Sequence, residues 1–177
     1  MHLFAIGDFY EYCKIDREKI IEYLGPRPGE CGHIAPAAKS VVATDFAPKM
    51  IETALKAKNP DNLSFEVADA TSLRFADNSF DVVVIANALH IIPNPEKALE
   101  EIRRVLKDDG LLIAPNFFFR EGGKKNLWQK FLSLVGIRFA HEWTEKEYKA
   151  FLESNGWKIK MARVIEGRID LIYVECA

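Results

Sequence analysis

VVATDFAPKM, residues 41–50, joins an uncharged run to a single carboxylate and turns at once into a helix start. Val41, Val42 and Ala43 have the character of a strand buried on both faces, as in a parallel sheet covered by helices. Ala47 and Pro48 open a helix, because proline fits a first turn, and Met50, Ile51, Ala54 and Leu55 recur on one face at helical spacing. Asp45 therefore falls at the carboxyl end of a parallel strand, the edge at which open α/β sheets take their ligands. A carboxylate there suits a pair of ribose hydroxyls. It is equally the residue type that caps a helix, and the residues leave both roles open.

Working outward, the same alternation continues. A loop at 58–62 leads to LSFEV, residues 63–67, a short strand running out towards Asp69. FDVVVIA, residues 80–86, is the most apolar strand and the expected centre of the sheet. Residues 87–92 read as a turn or a short helical piece. Pro95 then opens a helix with Ala98, Leu99, Ile102 and Leu106 on its apolar side, expected to end at Asp108, Asp109 and Gly110. The next strand and its exit are LLIAPNFFF, residues 111–119. Further on, a basic glycine-containing loop is expected at 122–125 and an aromatic-rich helix at 127–135. Thr144 and Glu147 form a capping box for a helix through Leu152, closed by Asn155 and Gly156. Residues 157–165 and 169–175, joined by Glu166, Gly167 and Arg168, read as a hairpin, which makes the last strand antiparallel. The fold class expected is α/β: a Rossmann-like, doubly wound, mostly parallel sheet with an antiparallel last strand and helices on both faces.

Before residue 41 the pattern breaks. Residues 16–24 read as an amphipathic helix ended by GPRPG, and a buried strand is then due. Only Gly29, Glu30, Cys31, Gly32 and His33 follow, then a weak helical piece, IAPAAK. Without a first strand, either the chain is interrupted near Glu30 to Gly32, or residues 41–44 pair directly with residues 82–85.

Composition limits the functional classes. The 177 residues are 49% hydrophobic and 28% charged with a net charge of −2, the balance of one globular domain, expected to span 1–177. The near-neutral charge argues against a nucleic-acid partner, and no apolar run approaches the roughly 20 residues of a membrane span. The first residues lack the layout of a secretory signal, so a cytoplasmic location is expected. Cys13, Cys31 and Cys176 and the four histidines are scattered, so neither a disulfide framework nor a metal site is expected.

Three stretches taken together, VVATDFAPKM, VADATSLRFADNSFDVVVIANALHII and the helix, DDG and LLIAPN segment, resemble the class I S-adenosylmethionine-dependent methyltransferases. Within them the likeness is to the group containing the ubiquinone and menaquinone biosynthesis enzymes. The resemblance implies S-adenosylmethionine as cofactor. By the family's pattern, Asp45 would hold the ribose hydroxyls with Phe46 beside the adenine. Asp69 would hold the adenine amino group, with an adjacent backbone donor at Ala70, and Asn87, Ala88 and His90 would line the methionine and methyl end. The family's glycine-rich first motif is represented only by Glu30, Cys31 and Gly32. From Gly32 to Asp45 the spacing falls short of the roughly 20 positions of the general fingerprint.

The function implied is methyl transfer to a small-molecule acceptor by a monomer or homodimer. An activated methyl needs only an aligned acceptor and, for a hydroxyl, amine or acidic carbon, a base. His90 is the candidate base. Phe117, Phe118, Phe119, Trp128 and Trp143 are candidates to shape an apolar acceptor pocket. The shortened glycine motif also admits a non-catalytic binding or dimerisation module. The acid after the second strand is shared with dinucleotide-dependent oxidoreductases, against which the absent GxGxxG and the antiparallel last strand count.

Overall fold

The computed structural model describes residues 2–7, 38–119, 140–166 and 170–177. They form one mixed sheet of strands β1 (His2–Gly7), β2 (Ser40–Asp45), β3 (Leu63–Val67), β4 (Phe80–Ala86), β5 (Leu106–Ile113), β6 (Asn116–Phe117), β7 (Ile159–Ile165) and β8 (Leu171–Cys176). Three helices accompany it: α1 (Pro48–Leu55), α2 (Pro95–Val105) and α3 (Glu145–Ser154). The order across the sheet is β3-β2-β1-β4-β5-β8, with β6 continuing the line of β5 along β8 and β7 on the far side of β8. Strands β1 to β5 are mutually parallel and β8 runs against them, as the hairpin reading requires.

The centre of the sheet corrects the expectation of a missing strand. HLFAIG, residues 2–7, supplies it: Leu3 pairs with Val41 on one side and Val82 on the other, and Ile6 lies between Thr44 and Ile85. Residues 41–44 therefore do not pair directly with 82–85. Four apolar residues, Leu3 to Ile6, ending in glycine have the composition of a buried strand, and inserting the strand satisfies backbone groups on both neighbours that direct repacking or a gap would disturb. The alternative of an interruption near Glu30 to Gly32 lies outside the described residues. So do the readings at 16–24, 34–37, 122–125, 127–135 and 167–169.

From β1 the chain order moves outward one way through β2 and β3 and the other way through β4 and β5, so right-handed crossovers put α1 and α2 on opposite faces. On the α2 face, Ala98, Leu99 and Ile102 pack with Val83, Ile85 and Leu112 and with Tyr148 and Leu152 of α3. On the other face, Val41, Ala43, Val84, Ala86, Ile113, Leu171 and Tyr173 make a second cluster. Successive β4 residues alternate between the two, the period of a strand buried on both sides.

Helix starts follow the sequence. Pro48 and Pro95 occupy first turns; the Asn94 side chain accepts from the Lys97 amide at 3.2 Å; Thr144 and Glu147 form the full capping box. One helix end differs from expectation. α2 stops at Val105 rather than at 108–110, because Leu106 turns to extended backbone and pairs with Phe80. The last carbonyls of α2 are taken by the loop before β4: Asn78 N–H donates to Arg104 C=O at 3.0 Å and Ser79 N–H to Val105 C=O at 2.8 Å. Residues 107–110 bulge out of the ladder, which resumes at Leu111 opposite Val82. Gly110 closes that bulge where a Cβ would stand 2.6 Å from Leu106 Cγ and 2.9 Å from the Lys107 carbonyl oxygen. The expected 111–119 strand is likewise split into the end of β5 and the short β6. No helix among the described residues is long and apolar enough to cross a membrane.

Candidate functional site

The candidate residues gather along the carboxyl edge of the parallel strands. Asp45 ends β2, Asp69 follows β3, Asn87 to His90 follow β4, and Asn116 follows β5. The crossovers reverse direction between β1 and β4, so this edge contains the sheet's topological switch point, the place where such folds open a crevice.

Asp45 does not cap α1. Its Oδ1 accepts the amide of Ala47 at 2.7 Å, and Ala47 is the residue at the cap position, so the bond shapes the strand-to-helix turn and leaves the helix's own first amides to other partners. Phe46 beside it is 75% exposed, an unusual setting for a phenyl ring. The Asp45 carbonyl accepts the Ala68 amide at 3.1 Å, which binds this turn to the one carrying Asp69. Asp69 Oδ1 accepts both the amide and the hydroxyl of Thr71, at 2.8 and 2.7 Å, and Ala70 between them is buried. The carboxylate thereby folds its own loop into a tight turn.

After β4 the chain turns through Asn87, whose φ of 48° is left-handed, a conformation asparagine tolerates better than most residues. Its amide donates to the Pro115 carbonyl at 2.9 Å, tying the ends of β4 and β5. Ala88 is buried, and its carbonyl accepts the amides of Ile91 and Ile92. His90 is 5% exposed, with Nδ1 2.8 Å from Oδ1 of the equally buried Asn116. Its carbonyl accepts the amides of Ala140 and His141 at 2.9 and 3.0 Å. Burial pushes the His90 imidazole below its ordinary 6.5; the Asn116 bond opposes that shift and the neighbouring charge of His141 adds to it. The ring is therefore held neutral near pH 7, the state a proton acceptor requires.

Aromatic side chains surround this corner. Phe117 lies edge-on to His90 with centroids 5.9 Å apart, and Trp143 is stacked between His141 at 4.9 Å and Phe151 at 4.6 Å. Phe118 is buried in the main core and Phe119 is half-buried, its amide donating to the Trp143 carbonyl. Gly32 and Trp128 lie outside the described residues. A concavity of about 520 Å³ is lined by Phe118, Phe119, Thr144, Lys146, Lys149 and Val164; none of Asp45, Asp69 or His90 lines it.

Two participants escaped sequence reading. Asn116 is the single polar side chain inside LLIAPNFFF, a signal that could have marked it. Arg104 bonds Glu101, Asp77 and the carbonyls of Leu73 and Phe75 at 2.7 to 3.0 Å, while Glu101 accepts the Leu73 amide at 2.8 Å. The network pins the loop between Asp69 and β4 onto α2. Nothing local in the sequence distinguishes Arg104 from Arg103 beside it.

This fold, with its carboxylate-bearing strand ends and antiparallel closing strand, is that of the class I methyltransferases, and residues 28–114 match the family described as the methyltransferase domain. The central strand β1 lies ahead of that matched segment. The chain is similar to proteins of the quinone biosynthesis group. It is 45% identical over 83 residues to the demethylmenaquinone methyltransferase of Renibacterium salmoninarum, covering 47% of this chain and 34% of that protein. It is 34% identical over 117 residues to the ubiquinone/menaquinone biosynthesis C-methyltransferase UbiE of Bdellovibrio bacteriovorus, covering 57% and 50%. The chain thus spans a third to a half of the length of these relatives. Among solved structures, a SAM-dependent methyltransferase from Methanosarcina mazei superposes with a TM-score of 0.66 at 23% identity, over 99% of this chain and 91% of that one. The [4+2]-cyclase SpnF superposes with a TM-score of 0.72 at 15% identity, over 99% and 73%. One fold therefore serves more than one chemistry. The class implies S-adenosylmethionine as its cofactor.

Proposed function

We propose that this chain binds S-adenosylmethionine and transfers its methyl group to a small-molecule acceptor, with a quinone precursor as the first class to test. The observation that carries the reading is the alignment of Asp45, Asp69 and His90 along one carboxyl edge of the sheet, on the turns after β2, β3 and β4. The quinone class rests on what the similar proteins from Renibacterium and Bdellovibrio are named for.

The residues present fit the cofactor's polar and aromatic halves. A carboxylate at the end of β2 accepts hydrogen bonds from vicinal hydroxyls, and charge assistance strengthens them. The exposed Phe46 ring gains apolar contact when an adenine covers it. Asp69 receives the adenine amino group, and Ala70 allows close approach of the base. Asn87 and Ala88 line the methionine part. When bound, the sulfonium supplies an already activated methyl group, so the protein's task is alignment and proton removal. His90, neutral and buried beside Phe117, takes the acceptor's proton as the new bond forms.

Isothermal calorimetry of the full chain with S-adenosylmethionine and with S-adenosylhomocysteine tests the first half of the reading. Micromolar binding is expected for both. Heat indistinguishable from dilution at millimolar ligand would remove the proposal. Methyl transfer from labelled cofactor to demethylated quinone precursors then tests the acceptor class.

A further inference from the structure

The pair His90 and Asn116 carries more than a buried hydrogen bond. Both side chains are almost fully enclosed, at 5% and 1% exposure, and they meet at 2.8 Å through Nδ1 and Oδ1. An amide can face a ring nitrogen with either end, and which end it presents decides where the ring keeps its proton. Here the other end of the amide is committed: Asn116 Nδ2 donates to the Phe117 carbonyl at 3.1 Å. A flipped amide would set Oδ1 against that carbonyl, acceptor against acceptor, and place Nδ2 against the histidine. Oδ1 is thus the atom facing the ring, and it can only accept. Nδ1 must donate.

We propose that Asn116 is a positioning residue that holds His90 in its Nδ1–H tautomer and directs the ring's lone pair, and any proton the ring takes up, to Nε2. The proposal rests on the methyl-transfer reading only for the use made of that lone pair; the tautomer itself does not depend on it. In the transfer, the acceptor's nucleophilic atom bonds the methyl carbon, the carbon–sulfur bond breaks, the sulfur keeps that electron pair, and the acceptor's proton goes to His90 Nε2. Oδ1 of Asn116 then faces an imidazolium whose Nδ1–H it already accepts, so the charge that develops is met without rearrangement. A tautomer fixed the other way would leave Nε2 protonated and unable to act. Among the described residues after 139, the titratable group acting on His90 is His141, whose positive charge, when present, opposes protonation. From β6 the facing groups are Asn116 and the uncharged Phe117.

The test is long-range ¹H–¹⁵N correlation on the uniformly labelled full chain near pH 8, with the His90 resonances assigned by their loss in His90→Gln. The wild type is expected to show a protonated Nδ1 and an unprotonated Nε2. Asn116→Leu, which removes the acceptor, is expected to shift the ring to a mixture dominated by the Nε2–H form that an unconstrained histidine side chain favours. Its turnover should fall by at least about tenfold with cofactor affinity unchanged within about threefold. Asn116→Asp keeps an acceptor. It should retain the Nδ1–H tautomer and move the acidic limb of the turnover profile to higher pH, because a carboxylate favours the imidazolium. An Nε2–H ring in the wild type overturns the proposal, and so does an unchanged tautomer in Asn116→Leu. Should Asn116→Leu not fold, a loss of the Nδ1–H form in Asn116→Asp overturns it equally. A wild-type Nδ1–H ring in a chain that methylates no acceptor would sustain the tautomer and remove the methyl-transfer reading, so the two failures are separable.

Discussion

The amide of Ala68 donates to the carbonyl of Asp45 at 3.1 Å, extending the β2–β3 ladder one step past its last paired residues, Asp45 and Val67. A backbone bond therefore joins the turn that presents Asp45 to the turn that presents Asp69. Replacing either carboxylate leaves that bond in place, while Asp45→Ala also removes the bond to the Ala47 amide within its own turn.

Asp45→Ala is expected to weaken S-adenosylmethionine binding by about 1.5 to 3 kcal/mol through loss of charge-assisted bonds to the ribose, or roughly 10- to 150-fold in Kd. Asp69→Asn should cost less, because the amide oxygen still accepts from Thr71 and from an adenine amino group. Calorimetry on both variants checks the order, and a larger loss for Asp69→Asn would reverse the ranking of the two acids.

The Arg104 network makes stability depend on pH in a defined direction. The Arg104 hydrogen bonds, chiefly, hold the Glu101 carboxyl below its ordinary 4.5. Below that value the unfolded chain binds the proton more readily than the folded one. The contribution is therefore present above pH 4.5 and is lost as pH falls through the depressed folded value. Arg104→Met should lower the urea midpoint at pH 7, with the gap to wild type narrowing as pH drops below about 4.5. A constant gap across that window would show that Arg104 acts through packing and its bonds to the Leu73 and Phe75 carbonyls and not through Glu101.

Tyr148 is fully buried, and its hydroxyl donates to the Ala114 carbonyl at 2.9 Å, joining α3 to the break between β5 and β6. Tyr148→Phe keeps the ring and removes the donor, with an expected cost of about 1 to 2 kcal/mol in equilibrium unfolding. A variant as stable as wild type would mean that the carbonyl finds another donor.

Gly110→Ala places a methyl group against the Lys107 carbonyl, a backbone atom that cannot rotate away, and against Leu106 Cγ. Overpacking of this kind costs about 1 to 3 kcal/mol, expected here as a lowered Tm. Retention of the wild-type Tm would show that the bulge at 107–110 relaxes freely.

The parts legible in the sequence are those set by interactions a few residues long. VVATDFAPKM announced β2, its terminal acid and the proline-led start of α1; FDVVVIA announced β4; Thr144 and Glu147 announced the capping box; Asn155 and Gly156 announced the end of α3, where Gly156 takes a φ of 78°. In each case the residues that make the feature are also the residues that satisfy it. Tertiary structure decided the rest. HLFAIG is central because its backbone finds open ladder positions on both β2 and β4, partners some 40 and 80 positions distant that no local pattern specifies. α2 ends at Val105 because amides from the loop before β4 take its last carbonyls, which a reading that looked for a glycine cap could not anticipate. His90 and Asn116, separated by 26 positions, meet only because β4 and β5 are adjacent in the sheet, and a buried polar group's partner is fixed by whichever strand end lies beside it.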